Sequence, residues 1–361
     1  MRVLTLNPGS SSMKVSMVVD GVAVGWAAWD LTNPKSVPDA LARWSDVDVV
    51  AVRFVHGGSQ KDPALVDDPL LVNLERLTSL APNHQPLSLS VTREVRKLLP
   101  DVPVVACFDT AFHAGLPESA ARYPLPRAWT TQNRLRRYGF HGLSCQYALR
   151  RTAELLGRAP ETLQLVCAHV GAGVSVTAIR DGRSVETSMG FTPLEGAMMT
   201  TRSGSIDPGL LLHVMKTAPM TPDEMADALF HRSGLAGMTG TNGDLRRVLS
   251  GAADGDRDCV LALDVYRHRL RREIGAAAAS LTSIDAVVFT GGVAEHQPDV
   301  ITSVIDGLRV FGLRAGRVPH TGTDRIVTAP GSPVPALIVT PREELELARG
   351  AEAVLSRLAV R

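Results

Sequence analysis

One pattern occurs twice in this chain. The first copy is VLTLNPGSSSMKVSMVVDG near the N-terminus, and the second is LQLVCAHVGAGVSVTAIRDGRSVETSMGF at residues 163 to 191. Each has a short apolar run, a polar turn with glycine, a second apolar run, then Asp-Gly and a third run. Val3–Leu6 matches Leu165–Ala168, Gly9 matches Gly171, and Asp20-Gly21 matches Asp181-Gly182. Asp-Gly between apolar runs is a strong hairpin signal, because both residues tolerate positive φ. The repeat therefore predicts two similar halves, each led by β-hairpins. The length of 361 residues agrees, being too long for one typical core. A second echo pairs DVPVVACFDTAFH (Asp101–His113) with IDAVVFTGGVAEH (Ile284–His296), each a buried strand running into a polar loop. Such continuous apolar runs suit parallel strands covered on both faces.

Helical periodicity fills the gaps, most clearly over Leu87–Leu99, Ser144–Leu156, Asp207–Lys216 and Cys259–Leu281. Asp207-Pro208 reads as an N-cap followed by proline at the first helical position, and Ser144 is a candidate cap. ALIVTPREELELARGAEAVLSRL at the C-terminus reads as strand, loop and amphipathic helix, crossing back to the first half. The expectation is an α/β protein of two domains, 1–145 with about 340–361, and 146–339, with the cleft between them as the default active site. Trp26, Trp29 and Trp44 are expected in the core.

Bulk composition excludes several classes. Apolar residues make up 45% and charged residues 21%, with net charge +1, so there is no footprint for nucleic acid. Cys107, Cys145, Cys167 and Cys259 form no C-x-x-C pair, which argues against a zinc site or disulfide framework and fits a reducing cytoplasm. Asn7-Pro8-Gly9 interrupts the first apolar run, so no signal peptide is expected, and no run reaches the ~18 residues of a membrane span.

The turns carry the chemistry. The opening turn holds an amide, hydroxyls and Lys14, a set that can cradle an anion between backbone N–H groups. It is not a P-loop, since G-x-x-x-x-G-K-[ST] is absent. HVGAG (His169–Gly173) occupies the equivalent turn of the second copy, and TGGVAEH adds Gly291-Gly292 before a helix start. Three such turns in a duplicated α/β chain point to a nucleotide's phosphates.

The runs NPGSSSMK, RFVHGG, LAPNHQP, FDTAFH, YPLP, RRYGFHG, SMGFTPLEG, TRSGSIDPG, VVFTGGVAEH and TPREELELAR, in this order along nearly the whole chain, resemble the acetate kinase family of short-chain carboxylate kinases. That family lies in the superfamily of sugar kinases, actin and chaperone ATPases. The resemblance implies a duplicated actin-like ATPase fold, a homodimer, and reversible Mg-dependent (or Mn-dependent) phosphoryl transfer from ATP to a short carboxylate, giving ADP and an acyl phosphate. It implies catalytic roles for Arg53, Asp109, His141 and Arg202, and a metal held near Asn7 and Glu343 or its neighbour Glu344. Ser10, Ser12, Lys14, His169, Gly171, Gly173, Asp244, Leu245, Arg246, Gly291, Gly292, Val293 and His296 fall at nucleotide positions. Val55, Asn83, Phe140 and Pro193 fall at substrate positions. For Asp244 a helix N-cap is the competing reading, and for His56 and His113 a structural role.

This chain departs from the family's pattern at four places. Ala172 replaces the asparagine of H-x-G-N-G, the last nucleotide loop reads Gly292-Val293-Ala294-Glu295-His296 where G-I-G-E-N is usual, Cys145 replaces a histidine, and Asn83 replaces a leucine set against the substrate's methyl group. A buried amide at Asn83 would need a partner, which predicts a preference for hydroxylated short acids. The loop changes leave pyrophosphate or phosphate as alternative donors, and a non-catalytic nucleotide-binding protein as the reading from another class.

Overall fold

The computed structural model describes the chain except residues 10–11, 31–35, 45, 219, 317–323 and 360–361. It divides into two compact units. The first comprises Met1–Gly115, Tyr138–Tyr147 and Arg342–Arg361; the second comprises Leu116–Arg137 and Ala148–Pro341.

The first unit is built on strands β1 (Arg2–Pro8), β2 (Ser12–Val19), β3 (Val22–Asp30), β4 (Val49–Phe54), β5 (Ala64–Leu65) and β6 (Val104–Phe108). They form one sheet in the order β3-β2-β1-β4-β6-β5. The first three strands are antiparallel, β1, β4 and β6 run parallel, and β5 closes the edge antiparallel. Period-2 alternation sends Leu4, Leu6, Val50, Val52 and Phe54 to one face, with Leu89 and Val95 of the helix Gln85–Leu98 in the same cluster. Val3, Val49, Ala51 and Val105 line the other face, covered by Leu347, Ala348 and Ala351 of the helix Glu343–Ala359. The C-terminal helix thus belongs to the first unit, 240 residues in sequence from the Cys107 whose thiol meets the Leu347 carbonyl.

The second unit repeats the design. Strands β7 (Gln164–Val170), β8 (Val174–Arg180), β9 (Arg183–Thr187), β10 (Ala286–Thr290), β11 (Arg325–Ile326) and β12 (Ala336–Ile338) form a sheet in the order β11-β12-β10-β7-β8-β9. It is the first order reversed in writing, with the same directions throughout. Even the irregularities recur. The register slips at Met17/Val18 in one hairpin and at Ala178/Ile179 in the other. Asp20 and Gly21 take φ of 48° and 79°, and Asp181 and Gly182 take 54° and 74°, the left-handed pair a tight hairpin demands.

Three expectations change. The second echo is misaligned: β6 is the third parallel strand of its sheet, whereas β10 is the second, so the counterpart of β10 is β4. Apolar content marks both as central strands but cannot rank them. Ser144 is not a cap, because its helix begins at Gly142. Trp26 is 72% exposed on edge strand β3, while Trp29 packs edge-on against Trp44 at 5.8 Å between ring centroids.

A single cut near 145 also misses one segment. Leu116–Arg137 packs in the second unit because YPLP, RRYGFHG and SMGFTPLEG converge on Glu195. The Tyr123 hydroxyl donates to Glu195 Oε2 (2.6 Å) and accepts from the Phe191 N–H (2.8 Å). Arg137 donates to Glu195 Oε1 (2.6 Å) and to the Ser188 carbonyl (3.0 Å). Asp207 does cap the helix Pro208–Thr217, accepting from the Gly209 N–H at 2.9 Å. Among the described residues no helix is long and apolar enough to cross a membrane.

Candidate active site

In α/β sheets ligands meet the carboxyl ends of the parallel strands. In the first unit those ends carry polar side chains. Asn7 is the penultimate residue of β1, Arg53 that of β4, and Asp109 follows β6 directly. Because Leu6 pairs with Val52 and Phe54 with Phe108, register alone brings the three together. Arg53 donates to both oxygens of Asp109, Nε at 3.0 Å and Nη2 at 2.6 Å, and Nη1 donates to Asn7 Oδ1 at 3.0 Å. Asn7 Nδ2 donates to Glu343 Oε2 at 2.7 Å, which also lies 3.8 Å from Arg53. Glu343 opens the C-terminal helix, where the helix dipole favours an acid. Of the two adjacent acids, Glu343 is therefore the one bonded into this cluster.

Electrostatics follow from burial. Asp109 is fully buried. Burial pushes its carboxyl upward, opposed by the Arg53 guanidinium and by the His141 backbone N–H. Burial works against the Arg53 cation as well, but Asp109 and Glu343 outweigh it and hold its pKa above the ordinary value. The glutamate next door, Glu344, is also raised, by burial first.

RRYGFHG seats His141 against this cluster. Gly142 donates its N–H to the Asp109 carbonyl at 3.1 Å, and a Cβ on Gly142 would lie 2.0 Å from that oxygen. No other residue fits there. His141 itself takes φ 57°, an uncommon conformation for a non-glycine residue. Phe140 is buried, and its carbonyl accepts from His113 Nε2 at 3.0 Å. His113 is thus a structural histidine, its pKa lowered to about 4 by burial. Val55 is buried beside Arg53 in sequence. Asn83, in contrast, is exposed in the turn before the helix Gln85–Leu98. The expectation of a buried amide there is overturned, and with it the desolvation argument for hydroxylated acids. Ser12 and Lys14 are exposed on β2, with Lys14 opposite Asn7. Ser10 lies outside the described residues.

The second unit brings its own turns together. Gly171 donates to the Gly173 carbonyl at 3.0 Å, closing the turn between β7 and β8 that begins at His169. Gly291 ends β10 at φ 92°, and a Cβ there would sit 2.7 Å from the Val170 carbonyl. The two turns therefore touch only because residue 291 is glycine. A Cβ on Gly292 would meet nothing within 4 Å, so open space faces this helix start. Val293 is half-buried and His296 exposed in the short helix that follows. Arg202 donates to the carbonyl of buried Pro193 at 2.8 Å. Burial lowers its pKa to about 10, and no carboxylate among the described residues pairs with it. Asp244 caps the helix Leu245–Ala253, accepting from the Arg246 N–H at 2.9 Å and from its guanidinium at 2.7 Å. Leu245 is buried, whereas Arg246 is exposed.

Sequence reasoning missed Thr200. It donates N–H (3.3 Å) and hydroxyl (3.1 Å) to the carbonyl of Ala172, fastening the β7–β8 turn to the loop that carries Arg202. It also missed Thr110 and Gln85, which hold the turn after β4. Thr110 and Gln85 lie within FDTAFH and LAPNHQP, but those runs do not say which of their side chains will meet the backbone after β4.

The chain as a whole has known relatives. The Acetokinase family matches over residues 23–349. The chain belongs to that family. Acetate kinase from Streptomyces avermitilis is 40% identical over 96% of both chains, and that from Thermotoga maritima 40% over 99% of this chain and 100% of its own. Among solved structures, a propionate kinase from Francisella tularensis superposes with a TM-score of 0.90 at 28% identity, covering 98% of this chain and 99% of its own. Acetate kinase from Porphyromonas gingivalis superposes with 0.88 at 29% identity over the same shares. As a member of the acetokinase family the chain is a carboxylate kinase, a phosphotransferase with a carboxyl acceptor and ATP/ADP as co-substrate.

Proposed function

We propose that this enzyme transfers the terminal phosphoryl group of MgATP reversibly and in line to acetate or a related short carboxylate, giving ADP and an acyl phosphate. The observation that carries the reading is the Arg53–Asp109–Asn7–Glu343 cluster at the carboxyl ends of β1, β4 and β6. A carboxylate is already ionised at neutral pH, so the site needs no general base. Its task is to neutralise charge as one anion approaches another. Arg53 offers a planar fork already oriented by Asp109 and Asn7. Arg202 offers a second guanidinium without a carboxylate of its own. His141 donates a hydrogen bond to the transferring group from a backbone pinned to Asp109.

The donor set suits a hard cation. It consists of oxygen ligands, and among the described residues no group of three or more His, Cys, Asp or Glu stands ready to cage an ion. Magnesium takes one or two carboxylates and completes its shell with water and phosphate oxygens. Asp109 and Glu343, with Asn7 beside them, would hold it. When bound it offsets phosphate charge. In this reading the first unit supplies carboxylate and metal residues. The second supplies nucleotide residues through His169–Gly173, Asp244–Arg246 and Gly291–His296. ATP as donor rests on Asp244, Arg246 and Gly292 being present. A homodimer is supported by the helix Pro208–Thr217, which has no buried residue and exposes Leu210, Leu212 and Met215. Four free, buried cysteines fit a cytoplasmic setting.

A coupled ADP-release assay with hydroxamate trapping, run over a panel of short carboxylates, tests this. Acyl phosphate from acetate or a close relative is the expected product. ATP consumption with no acyl phosphate from any acid, or turnover only with pyrophosphate, overturns it.

A further inference from the structure

The turn after β4 carries more polar fastening than its length requires. His56, Gly57 and Gly58 follow the strand that bears Arg53, and each of their backbone N–H groups is taken by a side chain. His56 donates to Gln85 Oε1 (3.3 Å), Gly57 to Thr110 Oγ1 (3.0 Å), and Gly58 to His56 Nδ1 (2.9 Å). Gln85 answers with its own N–H groups, Nε2 donating to the His56 carbonyl (3.0 Å) and to the Leu74 carbonyl (3.2 Å). Gln85 is wholly buried, at the first position of the helix Gln85–Leu98.

The carboxamide pairs with His56 as a neighbouring strand would. The ladder between β4 and β6 ends at Phe54 and Phe108, so the sheet offers His56 no partner. Gln85 supplies that edge. We propose that Gln85 is a positioning residue for the carboxylate substrate: by fixing the exit of β4 it sets the direction of Val55 and Arg53. The inference rests on the carboxylate-kinase reading above, in which those two residues meet the acid. The chain has no slack to compensate, since a Cβ on Gly57 would lie 2.5 Å from the Phe108 ring. The polarity is specific as well. The site calls for one acceptor and two donors in fixed order, which only a neutral amide provides. Methionine would leave the N–H and carbonyl of His56 unsatisfied in a dry interior, the Leu74 carbonyl keeping the Leu77 N–H, and glutamate would face two carbonyl oxygens with lone pairs.

The test uses the full-length enzyme with Gln85→Met, Gln85→Glu and the milder Gln85→Asn. Val95→Ala, a buried change on the same helix away from the turn, serves as comparator. The acid is the best substrate of the panel. Gln85→Met and Gln85→Glu are expected to raise KM for the acid about tenfold or more while KM for ATP stays within about twofold. Gln85→Asn, which keeps the amide but shortens its reach, falls between and guards against loss of folding in the other two. Val95→Ala is expected to lower Tm without moving KM for the acid. The inference is overturned if KM for the acid is unchanged in all three variants, if both KM values rise in parallel, or if Val95→Ala raises KM for the acid as much. Failure of the wild type to phosphorylate any carboxylate would overturn the parent reading, a separate outcome.

Discussion

Arg53 and Arg202 are both withdrawn from water, but the two units treat them oppositely. In the first unit Arg53 is tied by Asp109 in a bidentate pair, with Asn7 and Glu343 at its other edge. In the second unit Arg202 donates to a carbonyl and meets no acid among the described residues, and burial lowers its pKa to about 10. Both remain cations at neutral pH. Arg53 is thereby oriented at the cost of having its charge answered, while the charge of Arg202 is answered by no acid among the described residues.

The comparison can be broken in four ways. The largest effect is on turnover. Arg53→Ala and Arg202→Ala should each lower kcat/KM by about 10³ or more, roughly 4 kcal/mol of transition-state stabilisation, with ATP binding retained. Equilibrium binding of ATP alongside the coupled assay separates the two quantities. Near-normal turnover in either variant removes that arginine from the chemistry.

Stability should then divide them. Removing Arg53 strands Asp109, which is wholly buried, and a broken buried pair costs about 3–5 kcal/mol. Removing Arg202 strands the Pro193 carbonyl but no acid among the described residues, so urea unfolding of Arg202→Ala should lose less, about 1–2 kcal/mol. Equal losses would mean that Arg202 has an acidic partner after all.

Acid sharpens the contrast between units. His56 and His113, both in the first unit, have pKa values lowered to about 4, in each case by burial first. The sign is fixed by linkage. Above the unfolded value of about 6.5 both are neutral in either state, and stability is full. As pH falls toward 4 the unfolded chain takes up protons that the native chain refuses, and stability is lost. At pH 5 each histidine costs roughly 2 kcal/mol. Urea midpoints measured from pH 7 to pH 4.5 should fall accordingly, and His113→Gln should flatten the slope. A flat profile in the wild type would contradict the buried, neutral assignment.

The smallest effect is expected at Asn83. Its amide is exposed, so Asn83→Leu should change the ratio of kcat/KM for acetate over glycolate by less than about fivefold, because little desolvation separates the two side chains there. A larger swing toward acetate would restore Asn83 as a specificity residue.

Local pattern made much of this legible. Period-2 alternation and Asp-Gly located both hairpins, and the bulge before each turn confirms that they are copies. The polar residues at strand ends were visible as motifs, and the family's pattern marked Arg53, Asp109, His141 and Arg202. Other features were not legible. Trp26 looks like a core residue because it is large and apolar, yet edge strand β3 has no layer over that face. Gln85 lies inside the run LAPNHQP, but nothing in that run shows its role, which consists of the backbone groups that folding brings to it.

The sequence by itself determined the duplication, the α/β class, the Asp207 cap, and which residue types would stand where strands end. These depend on neighbours a few residues apart, and turn chemistry and periodicity are local physics. Only the tertiary structure decided which of those residues meet. Arg53 reaches Asp109 across 56 residues and Asn7 reaches Glu343 across 336, through strand register and the return of the last helix. The same packing gave Arg53 an acid and Arg202 none among the described residues. Burial and pairing are properties of the folded neighbourhood, and no single sequence position carries them.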